Sequence, residues 1–176
     1  MNKAVFLDRD GVINKPIIID GKSYAPRLLK DFKIFPGVKS DVKKLRNNGF
    51  KVFVISNQPD IGNKLIKKKT LTEMHKILKA KVSVNKIYFC PHTKIDRCKC
   101  RKPKPGMIIK ASNESKIYLK ESYVVGDRKT DIDAGLKVGC KTIFVNHNYD
   151  EKKPTKQEKT VKSLNAAVKY ILKRKN

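Results

Sequence analysis

The sequence contains no tryptophan, few aromatic residues (7%) and far fewer acidic side chains than basic ones. It also lacks any apolar run of about 18 residues, the length that a membrane-spanning helix requires. Near the N-terminus, Lys3 leads into a short apolar stretch that is followed at once by charged residues, which is not the layout of a signal peptide. We therefore expect a cytoplasmic protein with no membrane partner.

The charge of the chain is strongly one-sided, with 42 Lys and Arg against 16 Asp and Glu, a net +26. Such a charge attracts polyanions, including nucleic acids. The densest basic runs, KLIKKK and KRKN, are not interleaved with aromatic residues as a platform for single-stranded nucleic acid would be. A solvated lysine-rich surface is the favoured interpretation, and nucleic acid is a disfavoured partner. The same field would attract a small anionic substrate.

Short apolar runs alternate with segments of helical periodicity. The runs that predict strands are KAVFL, FKVFVIS, KIYF, SYVVG and KTIFVN. Helices are predicted from Pro36-Gly37 to Asn48, over 70–82, over 106–120, over 131–138, and as a terminal helix over 158–174. This alternation predicts an α/β fold, a Rossmann-like parallel sheet with helices on both faces, in a single domain spanning 1–176.

Polar side chains follow three of the predicted strands. Asp8 comes after the first strand, Ser56 ends the second, and Asp127 follows SYVVG. Ligands of open parallel sheets bind beyond the carboxyl ends of the strands. We therefore expect these residues to form one site.

Asp8, Asp10 and Asp127 supply the oxygen ligands that Mg²⁺ prefers, and a cation between them would relieve their mutual repulsion. A carboxylate can also attack phosphorus to form an aspartyl-phosphate, with a neighbouring acid/base to protonate the leaving alcohol and later activate water. Asp10, two residues after Asp8, is placed to reach the same pocket.

Phosphoryl transfer also requires donors and positive charge around the phosphate. Ser56 and Asn57 at a strand end, and Arg101 and Lys102 in CRKPKPG, could supply them. Taken singly, a Ser-Asn pair is more often a helix cap or turn, and a lysine is more often on the surface. Their order along the chain favours the phosphate-binding interpretation.

A second cluster lies in CPHTKIDRCKC, where Cys90, His92, Cys98 and Cys100 form a C-x-H-x₅-C-x-C pattern. Three thiolates and one imidazole can enclose a tetrahedral Zn²⁺. A disulfide is the competing interpretation, which a reducing cytosol disfavours. We predict a closed, structural zinc site in the loop 90–100 that positions Arg101 and Lys102.

The remaining cysteine and histidines receive no catalytic assignment. Cys140 lies outside the cluster and is expected as a small buried apolar residue. His75 lies in a helical pattern and His147 in a polar loop, without a visible catalytic partner, so both are expected to be structural or surface residues.

Four segments, DRDGVIN, SNQ, CRKPKPG and VGDRKTDIDAG, resemble in order the four motifs of the haloacid dehalogenase (HAD) superfamily of aspartate-dependent phosphatases. The resemblance runs from Val5 to about Asn146. The pattern CPH…CKCRKPKPGM is similar to the zinc-loop branch that holds heptose bisphosphate 7-phosphatases and histidinol-phosphate phosphatases.

The resemblance implies Asp8 as nucleophile and Asp10 as general acid/base. It further implies that Ser56 and Lys102 stabilise the phosphoryl group and that Arg101 aids substrate recognition. Mg²⁺ would be held by Asp8, the backbone carbonyl of Asp10, and Asp127. Members of this branch lack a large cap domain, which suits a small phosphorylated substrate.

Features of the sequence divide between the two substrates of this branch. Arg128 and the five-residue zinc spacer are closer to the histidinol type, whereas SYAPRLLKDFKIFPGV and the absence of a fused dehydratase domain resemble the heptose enzymes. The stretch PDIGNKLI departs from the heptose pattern after SNQ. The favoured reading is removal of the 7-phosphate of D-glycero-D-manno-heptose 1,7-bisphosphate, a step toward lipopolysaccharide precursors, by a monomer.

Three alternatives stay open. One is hydrolysis of histidinol phosphate or another small phosphomonoester. Another is removal of 3′-phosphates from nucleic-acid ends, which the net charge would assist. The last is a non-enzymatic basic protein that binds nucleic acid, with the zinc loop stapling its fold.

Overall fold

The computed structural model describes residues 2–174 and contains eight strands. In chain order they are β1 (Lys3–Leu7), β2 (Ile17–Ile19), β3 (Lys22–Tyr24), β4 (Phe50–Asn57), β5 (Lys86–Cys90), β6 (Tyr123–Gly126), β7 (Lys141–Val145) and β8 (Lys159–Val161). Six of them form one sheet in the order β5-β4-β1-β6-β7-β8, in which all neighbours run parallel. The other two, β2 and β3, pair as an antiparallel hairpin.

Helices cover both faces of the sheet. They are α1 (Val38–Asn47), α2 (Pro59–Gly62), α3 (Lys68–Lys81), α4 (Gly106–Ser115), α5 (Lys129–Leu136) and α6 (Leu164–Lys173). Side chains of α1, α3 and α6 share one apolar cluster, and those of α4 and α5 share the other. In β1, Val5 and Leu7 face the first cluster while Ala4 and Phe6 face the second. Burial of both faces explains why the strands are continuously apolar.

The predicted α/β fold is therefore confirmed, and its strand order positions the site. Strand β1 is central, with β4 on one side and β6 on the other. The chain leaves β1 in one direction and later returns on its other side, which opens a crevice at the carboxyl ends of these strands. Asp8 lies at this crevice, directly after β1, and its backbone amide donates to the Val125 carbonyl at 2.9 Å.

Two helix predictions were wrong in their bounds. The helix predicted over 106–120 ends at Ser115, because Lys116 takes the left-handed conformation (φ 52°) and a 3₁₀ turn follows over Leu119–Glu121. The terminal helix predicted over 158–174 begins only at Leu164, after the Ser163 hydroxyl accepts a hydrogen bond from the Ala166 amide. Residues Lys159–Val161 instead extend the sheet beside β7, a position that β-branched residues suit.

The hairpin of β2 and β3 was not predicted. Its sequence signal is the Asp20-Gly21 pair, whose φ angles of 48° and 71° are both positive, as a tight two-residue hairpin turn requires. The hairpin adds Ser23 and Tyr24 to the wall of the crevice.

The prediction of a single domain over 1–176 stays a prediction, and Met1, Lys175 and Asn176 lie outside the described residues, as does the end of the run KRKN. Across residues 2–174, no helix combines the length and apolar character needed to cross a membrane.

Candidate active site

A cleft of about 710 Å³ lies at the carboxyl ends of the central strands. Its lining includes six of the residues that the sequence predicted for the site, namely Asp8, Asp10, Asn57, Arg101, Lys102 and Arg128. Asp131, which the sequence analysis did not single out, lines it as well. The tertiary structure thus brings residues from four separate motifs into one cavity.

Lys102 is the electrostatic centre of this cleft and is only 4% exposed. Its ammonium lies 2.9 Å from Asp8 Oδ1 and 2.6 Å from Asp131 Oδ1, and it donates to the Ile55 carbonyl at 2.8 Å. Burial alone would lower the pKa of Lys102, but Asp131 and Asp8 raise that pKa above its usual value. The lysine is therefore a fixed positive charge beside Asp8.

Asn57 holds the main chain of Lys102 in place. Its Oδ1 accepts from the Lys102 amide at 3.0 Å, and its Nδ2 donates to the Lys102 carbonyl at 3.1 Å. Because these bonds occupy both polar atoms of the side chain, Asn57 positions Lys102 in this structure. Asn57 also lines the cleft, and the phosphate contact predicted for it stays a prediction.

Asp8, Asp127 and Asp131 form a cluster in which one oxygen from each lies within 4.8 Å of the others. Burial, with the nearby Asp131 charge, raises the pKa of Asp8 to about 6 despite the opposing effect of Lys102. Burial, Asp8 and Asp131 raise the pKa of Asp127 well above its ordinary value. Both carboxylate oxygens of Asp127 are buried without a hydrogen-bond partner. A cation is what such a set of hard oxygen ligands fits.

Gly11 allows Asp127 to approach the first motif this closely. Its φ is +86°, and a methyl group built there would overlap the Asp127 carboxylate. Any side chain at this position would therefore be strained by the backbone and would displace Asp127.

Asp10 is held by three neighbouring side chains. Arg9 donates to both of its oxygens at 2.9–3.2 Å, Asn14 donates at 2.9 Å and Gln58 at 2.8 Å. Burial alone would raise the pKa of Asp10, but these donors, led by Arg9, lower it. The carboxylate is therefore kept ionised at the edge of the cleft.

The network behind Asp10 includes a fully buried arginine. Arg9 is 0% exposed, stacks its guanidinium over Phe32 at 5.4 Å and lies 3.4 Å from His75 Nε2. Burial and Arg9 lower the pKa of His75 to about 4. His75 is thus a neutral structural residue, as the sequence predicted.

The other residues predicted to contact phosphate or substrate, Ser56, Arg101 and Arg128, differ in their burial and in their partners. The Ser56 hydroxyl is buried and accepts from Gln58 Nε2 at 2.8 Å. Arg101 lines the cleft and donates to the His92 carbonyl at 3.1 Å. Arg128 also lines the cleft and donates to the Ser23 carbonyl and, at 2.8 Å, to Glu151.

The four predicted zinc ligands converge. Sulfur–sulfur distances among Cys90, Cys98 and Cys100 are 3.1–3.6 Å, and His92 Nδ1 lies 3.3 Å from Cys100 Sγ and 3.5 Å from Cys90 Sγ. A disulfide bond would be about 2.05 Å long, so no pair is bridged. Tetrahedral Zn–S bonds of about 2.3 Å separate sulfurs by about 3.7 Å, close to the observed spacing. The donor set and geometry fit zinc.

Several residues of the site were missed by sequence reasoning. Asp131 lies four residues after Asp127 in the motif VGDRKTDIDAG, in the first turn of α5, so its place in that motif could have identified it. Gln58 immediately follows Asn57, and Asn14 is the last residue of DRDGVIN, but nothing in the sequence indicates that they bond to Asp10. His147 was expected to be structural or on the surface, and the 2.6 Å contact of its Nε2 with the Gly11 carbonyl agrees with a structural role whose partner the sequence does not indicate.

Comparisons with known proteins place this cleft in a family context. Residues 99–169 match the model of the HAD-hydrolase-like family. The D-glycero-beta-D-manno-heptose-1,7-bisphosphate 7-phosphatase of Helicobacter pylori strain 26695 is 36% identical over 146 residues, which cover 80% of this chain and 81% of the relative. The D-glycero-alpha-D-manno-heptose-1,7-bisphosphate 7-phosphatase of Campylobacter jejuni is 34% identical over 168 residues, 92% of this chain and 93% of the relative.

A solved structure gives the same picture. The D,D-heptose 1,7-bisphosphate phosphatase of B. bronchiseptica, crystallised with magnesium and phosphate, superposes with a TM-score of 0.83 at 25% identity over 98% of this chain and 99% of that one. The resemblance noted in the sequence is thereby confirmed. The chain is a phosphatase of the HAD superfamily and belongs to the family of the D-glycero-D-manno-heptose-1,7-bisphosphate 7-phosphatases.

Proposed function

We propose that this chain removes the 7-phosphate of D-glycero-D-manno-heptose 1,7-bisphosphate through an aspartyl-phosphate on Asp8. The observation that carries the chemistry is the Lys102 ammonium held between Asp8 and Asp131, with the partnerless Asp127 carboxylate beside them. The substrate rests on the names of the relatives.

Asp8 is oriented for attack by its own hydrogen bonds. Its Oδ1 accepts from the Arg9 amide at 2.8 Å and lies 2.9 Å from Lys102 Nζ. Among the described residues no donor reaches Oδ2, so we assign Oδ2 as the nucleophile. In the first step the Oδ2–phosphorus bond forms and the bond from phosphorus to the sugar oxygen breaks.

Asp10 completes both steps as the acid/base. In the first step it would give its proton to the departing sugar oxygen, and in the second it would take a proton from the water that attacks phosphorus. That attack breaks the Oδ2–phosphorus bond, releases inorganic phosphate and restores Asp8. The donors Arg9, Asn14 and Gln58 favour the ionised form of Asp10 that the second step needs, so the proton given up in the first step is one that Asp10 takes up as the substrate binds.

Magnesium fits the carboxylate cluster, and Asp8, Asp127 and the backbone carbonyl of Asp10 would hold it. When bound, it supplies positive charge to the phosphate oxygens. Asp131 forms an ion pair with Lys102 and so compensates the positive charge of that lysine, which would lie beside the cation. We propose Zn²⁺ for the second cluster, where it would fix the loop that carries Arg101 and Lys102.

The experiment that tests the proposed function is Mg²⁺-dependent phosphate release by the purified protein on four substrates. These are both anomers of the heptose 1,7-bisphosphate, histidinol phosphate and a 3′-phosphorylated oligonucleotide. We expect the highest kcat/KM on one heptose anomer. A preference for histidinol phosphate or for the oligonucleotide would keep the chemistry and overturn the substrate.

Asp8→Asn is the matched control for the mechanism, since it removes the nucleophile and preserves shape. We expect turnover to fall to background while the thermal midpoint stays near that of the parent chain, because the lost attraction to Lys102 is offset by relief of the repulsion of Asp8 with Asp127 and Asp131. Retained turnover would refute the aspartyl-phosphate route. The monomeric state and cytoplasmic location stay predictions.

A further inference from the structure

The loop over 146–150, which follows β7, packs against the back of the carboxylate cluster. His147 Nε2 donates to the Gly11 carbonyl at 2.6 Å, since a carbonyl oxygen can only accept. The imidazole lies between two aromatic rings, with centroids 6.1 Å from Phe35 and 5.4 Å from Tyr149. His147 thus ties this loop to the turn of the first motif and fixes the ring of Tyr149.

Tyr149 directs its hydroxyl at the Asp127 carboxylate. A methyl group built on Gly11 would lie 3.1 Å from the Tyr149 hydroxyl oxygen and would overlap the Asp127 carboxylate, so both groups meet at the same point of the backbone. The side chain of Ser23 also lies near this hydroxyl. The proposed mechanism assigns no role to this tyrosine.

Both groups are buried, and neither forms a hydrogen bond of standard geometry with the described part of the chain, although the Tyr149 hydroxyl lies close enough to Asp127 and Ser23 to interact with both. The Tyr149 hydroxyl oxygen and both Asp127 oxygens are in this condition. The cavity that they share measures about 10 Å³, which is at most enough for a single water molecule. A buried hydroxyl beside a buried carboxylate is a donor facing an acceptor, and leaving both unpaired is costly.

We propose that Tyr149, braced by His147, is a positioning residue for the metal ligand Asp127. With a cation on one carboxylate oxygen, the Tyr149 hydroxyl donates to the other and fixes the rotation of the carboxylate. This inference rests on the proposed magnesium site. Outer-shell partners of this kind are typically worth about 10–100-fold in metal affinity.

Tyr149→Phe tests the proposal, because it removes the hydroxyl and keeps the ring stacked on His147. Mg²⁺ affinity is measured without substrate, from the rise in thermal midpoint as Mg²⁺ is titrated, and separately as the Mg²⁺ concentration for half-maximal turnover. We expect Mg²⁺ to bind about 10–100-fold more weakly, with kcat at saturating Mg²⁺ close to that of the parent chain. Tyr118→Phe, the same change on a tyrosine outside the cleft, should leave both constants unchanged.

His147→Phe provides a second variant, which preserves aromatic stacking and removes the hydrogen bond to Gly11. It should weaken Mg²⁺ in the same direction. Unchanged Mg²⁺ constants in both variants would overturn the proposal, and so would a lower metal-free midpoint with an unchanged Mg²⁺ dependence, which indicates a merely structural role. Because the midpoint titration needs no substrate, this outcome is distinguishable from failure of the proposed reaction.

Discussion

Lys102 is a buried cation whose three partners come from three parts of the chain. Asp8 follows β1, the Ile55 carbonyl belongs to β4, and Asp131 lies in α5. Removing one partner of a buried ion pair usually costs more stability than the pair itself contributes, because the remaining charge is left uncompensated. At the residue scale, function and stability are therefore linked through this lysine.

Asn57 gives the first residue-scale prediction. Asn57→Ala removes both hydrogen bonds to the main chain of Lys102, each worth about 1 kcal/mol. We expect the free energy of unfolding to fall by about 1–3 kcal/mol and kcat/KM to fall at least tenfold, because Lys102 loses its position. Urea denaturation and steady-state kinetics measure the two effects. Asn63→Ala, at an exposed position, is the control. Equal losses of stability and of kcat/KM in the two variants would show that Asn57 does not hold the main chain of Lys102.

His75 gives a second prediction, on pH. Its pKa in the folded protein is about 4, below the 6.5 of a free histidine. The folded state therefore binds this proton only at a lower pH than the unfolded state does. Its contribution to stability is fully present above pH 6.5 and is lost as the pH falls toward 4.

His75→Gln should therefore flatten the decline of the free energy of unfolding across this pH window. Denaturant titrations at several pH values within it measure the slope. The same slope in the parent chain and the variant would show that His75 does not titrate as its burial beside Arg9 implies.

At the element scale, the loop 90–100 has no regular secondary structure after Cys90, the last residue of β5, and depends on its four converging ligands. Ile95 at its tip is 88% exposed, so few apolar contacts hold the loop. Arg101 bonds to the His92 carbonyl, and Lys104 bonds to the carbonyls of Arg97 and Cys98. These contacts couple the metal cluster to the cationic wall of the cleft.

Cys98→Ser should accordingly remove bound zinc and destabilise the loop. Elemental analysis should find about one zinc per chain in the parent and a clear deficit in the variant, with a lower thermal midpoint. Each kcal/mol lost corresponds to about 2–4 °C at this chain length. Cys140→Ser makes the same change at a buried cysteine outside the cluster and should keep its zinc. Absence of zinc from the parent protein would refute the closed site.

At the scale of the whole molecule, the +26 charge reaches the cleft. The acidic residues of its wall are largely paired, as in the contacts of Asp60 with Arg27 and of Glu151 with Arg128. Several cations of the wall form no ion pair with the described residues, namely Lys94, Arg97, Arg101, Lys104, Lys137 and Lys152. Such a cleft focuses the field and raises the rate at which anionic substrates arrive.

The resulting prediction concerns salt. As ionic strength rises to about 0.15 M and beyond, screening should lower kcat/KM while kcat changes little, because association is affected and chemistry is not. Lys94→Glu, at the cleft, should lower kcat/KM and reduce its salt dependence. Lys79→Glu, an equal charge change on the exposed side of α3, should do neither. If the two variants lowered kcat/KM and its salt dependence equally, the net charge would act from the whole surface and not from the cleft.

Local patterns in the sequence determined much of this protein. Buried parallel strands are continuously apolar, so β1, β4 and β5 were located to within a residue. Polar residues at strand ends predicted Asp8 and Ser56 as site residues, and the motif CRKPKPG predicted Lys102. The zinc cluster was predicted from spacing alone, because all four ligands lie within eleven residues. These features depend on neighbours along the chain.

The tertiary structure decided what depends on distant partners. Whether Lys159–Val161 form a helix or a strand is settled by the free edge of β7, since strand pairing outweighs a weak helical pattern. The role of Asn57 depends on Lys102, 45 residues away, and that of Tyr149 on its packing beside Gly11 and Asp127. Hydrogen bonds of this kind leave no periodicity in the sequence, because residue type fixes which atoms can donate but only the fold fixes what they meet.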